Sequence, residues 1–329
     1  MIISKTPLRM SFVGGGSDLS DYYGHAESSF GSVVSTAINK YVYILVNKRF
    51  GDELKISYSI VEYANSIEEI QHNLVRECLK YLNIRETIDI TYMSDFLPGK
   101  VGSGIAGSSA IVVGTLNALH AFRGEHVSSH QLAKEACEIE VDILKHPIGK
   151  QDQFAVSYGG FNHIQFNADE SVFVNPVIFN RDIRKKLNRN LIMFYTGITA
   201  RSDTILTEQK EKTKINLKFL DKMVEMSIEL KKSLEENDLT KFGDLLHANW
   251  ELKKKLSSNV SNELINKYYE KARVAGAIGG KVLGSGGGGF LLFYCEEEKQ
   301  DNVRKALCDL KEAPFRFEQQ GSRIIYVSD

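Results

Sequence analysis

Neither sign of charge dominates this chain: 41 Lys and Arg face 42 Asp and Glu over 329 residues, for a formal net charge of −1. No global field therefore recruits nucleic acid or an anionic membrane, and only local basic pockets remain open. Cysteine is sparse. Cys78, Cys137, Cys295 and Cys308 lie far apart, form no C-x-x-C pair, and fall in segments that read as helix or strand. That pattern speaks against a disulfide framework and for reduced thiols in the cytoplasm. The N-terminus, MIISKTPLRMSF, lacks the long apolar run of a secretory signal. A long uncharged run occurs at Val101–Phe122, but it is rich in Gly, Ser, Asn, Thr and His. It reads as a buried helix behind a glycine loop rather than a bilayer span. What is present, 43% hydrophobic and 25% charged residues, is globular composition with length for two domains and a sizeable core.

Strand signals fill the first half. Ile2–Ser4 and Met10–Val13 read as short strands around Pro7, and Ser32–Ile38 with Tyr41–Asn47 as a hairpin turning at Asn39-Lys40. Ile56–Tyr58 adds a further strand. Glu68–Leu82 has helical periodicity through Ile70, Leu74, Cys78 and Leu82. Strand Thr87–Met93, the glycine loop and helix Ser108–Phe122 follow. The S-x-x-Q capping box at Ser128–Gln131 opens a helix to about residue 145. Short strands occupy 160–180, and Leu191–Tyr195 is a compact apolar strand. Beyond it the chain turns helical and charged, at about 203–214, 217–235, 239–257 and 261–276, before strand Phe290–Cys295, helix Glu297–Leu310 and strands near Phe315–Phe317 and Arg323–Val327. The change of character near residue 185 divides the chain into domains of 1–185 and 186–329.

Residues 102–110, GSGIAGSSA, match G-x-G-x-x-G. A dinucleotide-binding turn needs a strand directly before the first glycine and another after the helix. Here six residues, Asp95–Lys100, intervene, and a second helix follows. The chain has no H-R-D, D-F-G, Walker A or H-E-x-x-H pattern, and His126 with His130 straddles a helix start. The stretch still suits an anion, because glycines lead into a helix whose first turn carries Ser108 and Ser109. By itself the loop fits equally a phosphate cradle and a glycine turn with a serine cap.

Three further stretches carry chemistry. In PLRMSFVGGGSDL, basic Arg9 leads a strand that ends in Gly14-Gly15-Gly16-Ser17-Asp18. Asp18 there either caps the turn or serves a ligand. In Glu140–Gln153, at roughly 100° per residue, Glu140 lies at the edge of the Leu132, Ala136, Ile139, Ile143 stripe and Glu138 on the far side. A carboxylate at a core edge needs a partner, for which a metal ion is suited. Asp152 follows a Pro-Ile-Gly turn and either caps the next segment or is presented for function. In KVLGSGGGGF, glycines run straight into an apolar strand, an entropic cost that makes sense where backbone passes close to a ligand.

Together these stretches resemble the GHMP kinases, whose three motifs fall in order on Pro7–Leu19, Pro98–Ala110 and Lys281–Phe290. The resemblance spans essentially the whole chain. It implies an α+β, two-domain fold, with an N-terminal domain like ribosomal protein S5 domain 2 and a ferredoxin-like C-terminal domain. It implies ATP as phosphate donor with Mg²⁺. The ATP-binding positions fall on Gly102, Ser103, Gly104, Gly107, Ser108 and Ser109. The metal ligands fall on Ser108 or Ser109 and on Glu140, the catalytic pair on Asp152 and Arg9, and the acceptor-binding positions on Gly15, Gly16, Ser17, Asp18, Gly286 and Gly287.

The stretches PLRMSFVGGGSDL, STAINKYVYILVNKRF, ACEIEVDILKHPIGKQDQF and LIMFYTGIT are most similar to the members that act on heptose 7-phosphate. The acceptor implied is the anomeric C1 hydroxyl of D-glycero-α-D-manno-heptose 7-phosphate, on the route to GDP-heptose for surface polysaccharide. Lys5, Lys40, Arg201 and Lys281 are the candidates for its remote phosphate. The partner implied is a small sugar phosphate, with no nucleic acid or membrane, and a homo-oligomer is left open. Another sugar-1-kinase of the family, or a non-catalytic sugar and ATP sensor, are the alternatives. One departure stands out. Relatives run P-x-G-x-G-L-G-S-S where this chain has PGKVGSGIAGSS, three residues longer, so the resemblance does not choose between the two serines.

Overall fold

The computed structural model describes residues 1–25, 30–96, 104–200 and 202–328. Among them, nine strands form one sheet and four form another. The first sheet contains β1 (Ile2–Val13), β2 (Phe30–Lys48), β3 (Leu54–Ser57), β4 (Val61–Ala64), β5 (Ile88–Ser94), β6 (Phe161–Asn167) and β7 (Val172–Pro176). The second sheet takes β8 (Leu191–Tyr195), β9 (Gly279–Val282), β10 (Phe290–Tyr294) and β11 (Lys311–Glu312). β12 (Phe317–Glu318) and β13 (Arg323–Val327), expected inside a domain of 186–329, pair instead with β2 and β1 of the first sheet.

The paired short strands and the hairpin expected near the N-terminus are corrected to two long strands. β1 runs unbroken through Pro7, and β2 is a single 19-residue strand antiparallel to it. Asn39-Lys40 is not a turn. The register passes from Pro7↔Tyr41 to Leu8↔Ile38, so these two residues bulge out opposite the proline. A proline has no N–H to give the ladder, and a bulge is where a strand tolerates one. Asn39 is held there by reciprocal hydrogen bonds with the backbone of Arg316.

The helices are α1 (Ser20–Tyr23), α2 (Asn73–Tyr81), α3 (Gly107–Phe122), α4 (Ser129–Cys137), α5 (Gln151–Tyr158), α6 (Arg181–Arg189), α7 (Ser202–Glu211), α8 (Thr213–Glu235), α9 (Phe242–Leu256), α10 (Glu263–Val274) and α11 (Glu297–Ala306). α2 starts later than its periodicity suggested, because His72 caps it by accepting the Val75 N–H. α3 is the buried helix expected behind the glycine loop, and no described helix is long and apolar enough to cross a membrane. Ser128 caps α4 by accepting the Gln131 N–H at 3.2 Å, but the Gln131 amide turns forward to Glu135 instead of closing the box.

The expected helix to residue 145 changes geometry at Glu138–Ile143, which is π-helical. The wider turn rotates Ile143 out of the apolar stripe, leaving it 47% exposed, while Glu140 stays fully buried. π-Turns inside α-helices concentrate at functional sites.

The second sheet has order β11-β8-β10-β9. With helices between β8 and β9 and α11 between β10 and β11, this is the ferredoxin-like arrangement. Its core stacks Trp250, Tyr269 and Phe293. α3 and α5 pack on β1 and β2 of the first sheet, while α8 and α9 also reach β1. That arrangement buries β1 from Thr6 onward and brings C-terminal helices against the end of the strand that carries Arg9. Cys78, Cys137 and Cys295 are buried free thiols, and Cys308 is an exposed one.

Candidate active site

Arg9 projects from β1 and is only 3% exposed. Its Nε donates to Asp152 Oδ1 at 2.8 Å and its Nη2 to Asp152 Oδ2 at 2.7 Å. A planar guanidinium on a carboxylate in this two-point geometry holds both side chains in one orientation. The third nitrogen, Nη1, donates to Gly104 O at 2.7 Å, and the Arg9 N–H to Ile105 O at 3.2 Å. One arginine thus joins Asp152 to the glycine loop.

Asp152 lies in the first turn of α5, not on the preceding loop, and a quarter of its side chain is exposed. Burial pushes its carboxyl above the ordinary value, Arg9 opposes the shift, and Asp18 adds to it.

The described part of the glycine loop begins at Gly104; Gly102 and Ser103 lie outside the described residues, as does Arg201. Ala106, in a left-handed conformation with φ 65°, leads into α3. Gly107 and Ser108 open its first turn, where a helix leaves its amides without intrahelical partners, as an anion site requires. Ser108 is exposed. Ser109 is buried and donates to Glu140 Oε2 at 2.7 Å, which Gln153 Nε2 also reaches at 2.7 Å.

Glu140 Oε1 is buried with no partner among the described residues. Burial raises its carboxyl to about 7, with Ser109 and Gln153 opposing and Asp152 adding. An orphaned carboxylate oxygen beside a serine hydroxyl fits a hard cation with oxygen ligands. No group of three or more His, Cys, Asp or Glu among the described residues could hold such an ion alone. That sparse donor set suits Mg²⁺, which keeps waters and shares its ligands with substrate phosphates.

The acceptor-binding positions divide. Asp18 accepts Gly16 N–H at 2.9 Å through Oδ1 and Gln151 Nε2 at 3.0 Å through Oδ2. It therefore caps its own turn, and carboxylate lone pairs remain for a ligand. Ser17 is engaged within the turn, donating to Gly14 O and Ser32 O and accepting from Ser32 N–H. Gly286 and Gly287 are crowded by Val260, Asn259, Ile205 and Ala200, and the Gly287 N–H donates to Val260 O at 2.7 Å. The nearest neighbours of both belong to the C-terminal half, so their close backbone approach serves packing there.

The cations proposed for a remote phosphate also separate. Lys5 lies 3.7 Å over the Tyr41 ring and Lys40 4.9 Å over Phe96. Lys281 is buried, donates to Ser11 O at 2.8 Å, and has its ammonium pushed well below the ordinary range by burial, with Lys253 and Arg9 adding.

Lys253 on α9 was not anticipated. It is 4% exposed and donates to Gly15 O at 3.0 Å. The signal was available: Phe242, Leu245, Leu246, Asn249, Trp250, Lys253 and Leu256 form one buried helical stripe, where a lysine is anomalous.

The chain matches the GHMP kinases N-terminal domain over residues 65–160 and the GHMP kinases C-terminal domain over 230–313. It is 30% identical over 322 residues to D-glycero-alpha-D-manno-heptose 7-phosphate kinase of Campylobacter jejuni, covering 93% of each chain. It is 24% identical to a galactokinase of Pyrococcus furiosus, covering 93% of this chain and 92% of that one. A solved D-glycero-D-manno-heptose 1-phosphate kinase from Bacteriodes thetaiotaomicron superposes with a TM-score of 0.82 at 25% identity, covering all of both chains. With both domains matched and a relative this similar over nearly its full length, the chain belongs to the GHMP kinase family.

Proposed function

We propose that this kinase transfers the γ-phosphoryl group of ATP to the anomeric C1 hydroxyl of D-glycero-α-D-manno-heptose 7-phosphate. The observation that carries the reading is the Arg9–Asp152 pair, tied through Gly104 to the loop at the α3 N-terminus. Phosphoryl transfer through a loose transition state asks for positioning and charge neutralisation more than covalent chemistry. The free amides of Gly107 and Ser108 meet the triphosphate, helped by the helix dipole. Asp152 orients the acceptor hydroxyl and takes its proton, a task helped by the burial that raises its carboxyl above the ordinary value. Arg9 holds Asp152 in place and faces the transferring group. Ser109 and Glu140 would hold Mg²⁺, which when bound neutralises charge on the phosphate oxygens. Asp18 gathers acceptor hydroxyls. The proposed division of the work is between an N-terminal domain of 1–185 and a C-terminal domain of 186–329, the latter returning β12 and β13 to the first sheet.

The relatives' names support a phosphorylated heptose as acceptor, one specifying a 7-phosphate and the other a 1-phosphate. The test is ATP consumption with heptose 7-phosphate, heptose 1-phosphate, heptose, galactose, fucose and mannose. Preference for heptose 7-phosphate is expected. Preference for a neutral sugar overturns the acceptor, and turnover with none of the six overturns the sugar-kinase reading.

A further inference from the structure

Gly14, Gly15 and Gly16 are consecutive, yet backbone geometry accounts for only two of them. Gly14 has φ +91°, and a Cβ there would stand 2.0 Å from Ser32 O. Gly16 has φ +109°. Gly15 has no positive φ, and among the described residues a Cβ there would meet only Lys253 Nζ at 3.6 Å and Gln151 Nε2 at 3.8 Å. Those are ordinary contact distances, so the fold itself would accept a side chain at this position.

The space left over Gly15 is bounded by nitrogen donors with unused capacity. An ammonium has three protons, and Lys253 has one acceptor among the described residues, Gly15 O. Gln151 Nε2 binds Asp18, while its Oε1 is buried without a partner. Behind the same turn, Gln209 of α7 is 3% exposed and neither its Oε1 nor its Nε2 has a partner among the described residues, with Oε1 3.9 Å from where a Gly16 Cβ would be. Buried polar groups are normally satisfied, and a cluster of unsatisfied ones calls for a missing partner. Around this turn the basic side chains Arg9, Lys253 and Lys281 and the carboxylates Asp18 and Asp152 are within electrostatic reach of one another. A hydrogen-bond donor with spare protons, as Lys253 is, favours an electron-rich partner.

We propose that Lys253, supplied by C-terminal helix α9, binds an acceptor oxygen in the slot over Gly15 and sets acceptor specificity. The proposal rests on the sugar-kinase reading. Gln151 completes the slot as a reader of a neighbouring hydroxyl. The acceptor is thereby gripped from both halves of the chain, by Asp18 on one side and Lys253 on the other.

Gly15→Ala fills the slot without a clash, and Lys253→Met removes the charge. Both are made in the full chain and assayed for KM with heptose 7-phosphate, or the preferred sugar of the panel, for KM with ATP, and for melting temperature. For Gly15→Ala the acceptor KM is expected to rise at least about tenfold, the loss of one buried hydrogen bond to a charged donor. The ATP KM is expected to stay within about twofold and the melting temperature within about 2 °C, as for a substitution that breaks no contact. Lys253→Met is expected to raise the acceptor KM by a similar factor. If Lys253→Met fails to fold, Gly15→Ala decides alone. An unchanged acceptor KM in Gly15→Ala overturns the slot while the kinase reading stands; a parallel rise in acceptor and ATP KM with a lowered melting temperature assigns Gly15 to the fold and also overturns it. Turnover by the wild type on no sugar overturns both.

Discussion

Gly284 and Gly104 meet backbone to backbone: a Cβ on Gly284 would stand 2.4 Å from Cα of Gly104, and one on Gly104 would stand 2.2 Å from Leu283 O. The third glycine motif is therefore the surface on which the described end of the glycine loop before α3 rests. The same Gly104 carbonyl receives Arg9, so displacing it disturbs the loop and the Arg9–Asp152 pair together.

Gly284→Ala should cost about 2 kcal/mol or more, from positive φ (+72°) and a backbone clash combined. Denaturant melts would show the loss, and the ATP KM should rise with it. A variant of wild-type stability and ATP KM would remove the contact between the loops from the account of nucleotide binding.

Asp152→Asn keeps the size of the side chain and removes the base. Turnover should fall by about 10²- to 10⁴-fold, while calorimetric ATP affinity stays within about twofold. Near-normal turnover would dismiss Asp152 as the proton acceptor.

Glu140 gives a pH dependence of known sign. Its carboxyl titrates near 7 in the folded, metal-free chain against 4.5 for the ordinary value. Below 4.5 it is protonated in both states. Between 4.5 and 7 only the unfolded chain releases the proton, so folded-state stability falls as pH rises, by roughly 3 kcal/mol in all. Glu140→Gln should lack that slope, and added Mg²⁺ should flatten it in the wild type. Parallel stability–pH curves for the two proteins without metal would refute the assignment.

Lys253 supplies the opposite limb. Burial lowers its ammonium to about 8, with Asp18 and Asp152 opposing and Arg9 adding. The charge is present below that pH and lost above it. Wild-type kcat/KM for the acceptor should decline above about pH 8, and Lys253→Met should lack this inflection. A wild-type profile level to about pH 9 would count against a charged Lys253 in acceptor binding.

Local patterns were legible where one residue type forces one geometry. The glycine loop before α3, the apolar strands β8 and β10 and the helical run from α7 to α10 all follow from periodicity and breakers. Glu140 is legible as a charge at the edge of an apolar stripe, Arg9 as the basic residue leading a strand into glycines and Asp152 as an acid after a Pro-Ile-Gly turn, and the structure brings Arg9 to Asp152 and Ser109 to Glu140. What escaped depends on distant partners. The straightness of β2 at Asn39-Lys40 is set by pairing with β1, whose proline lies opposite the bulge. The outward turn of Ile143 depends on a switch from α to π geometry that a fixed 100° step cannot anticipate. Helix α6 carries little apolar surface and buries only Leu187, so its periodicity gave no signal. Lys253 and Gln209 matter because α9 and α7 pack against a turn far away in sequence.

β13 has a bearing on how the site comes into being. Ile2–Lys5 of β1 pair with it, Ile2↔Val327 through Lys5↔Arg323, so this flank of β1 stays without its neighbour until β13 has been synthesised. A nascent chain of the first 300 residues would display that flank as an open edge, a template for pairing with other chains. The start of the strand that bears Arg9 is thus closed on that side by a segment more than 300 residues further along the chain.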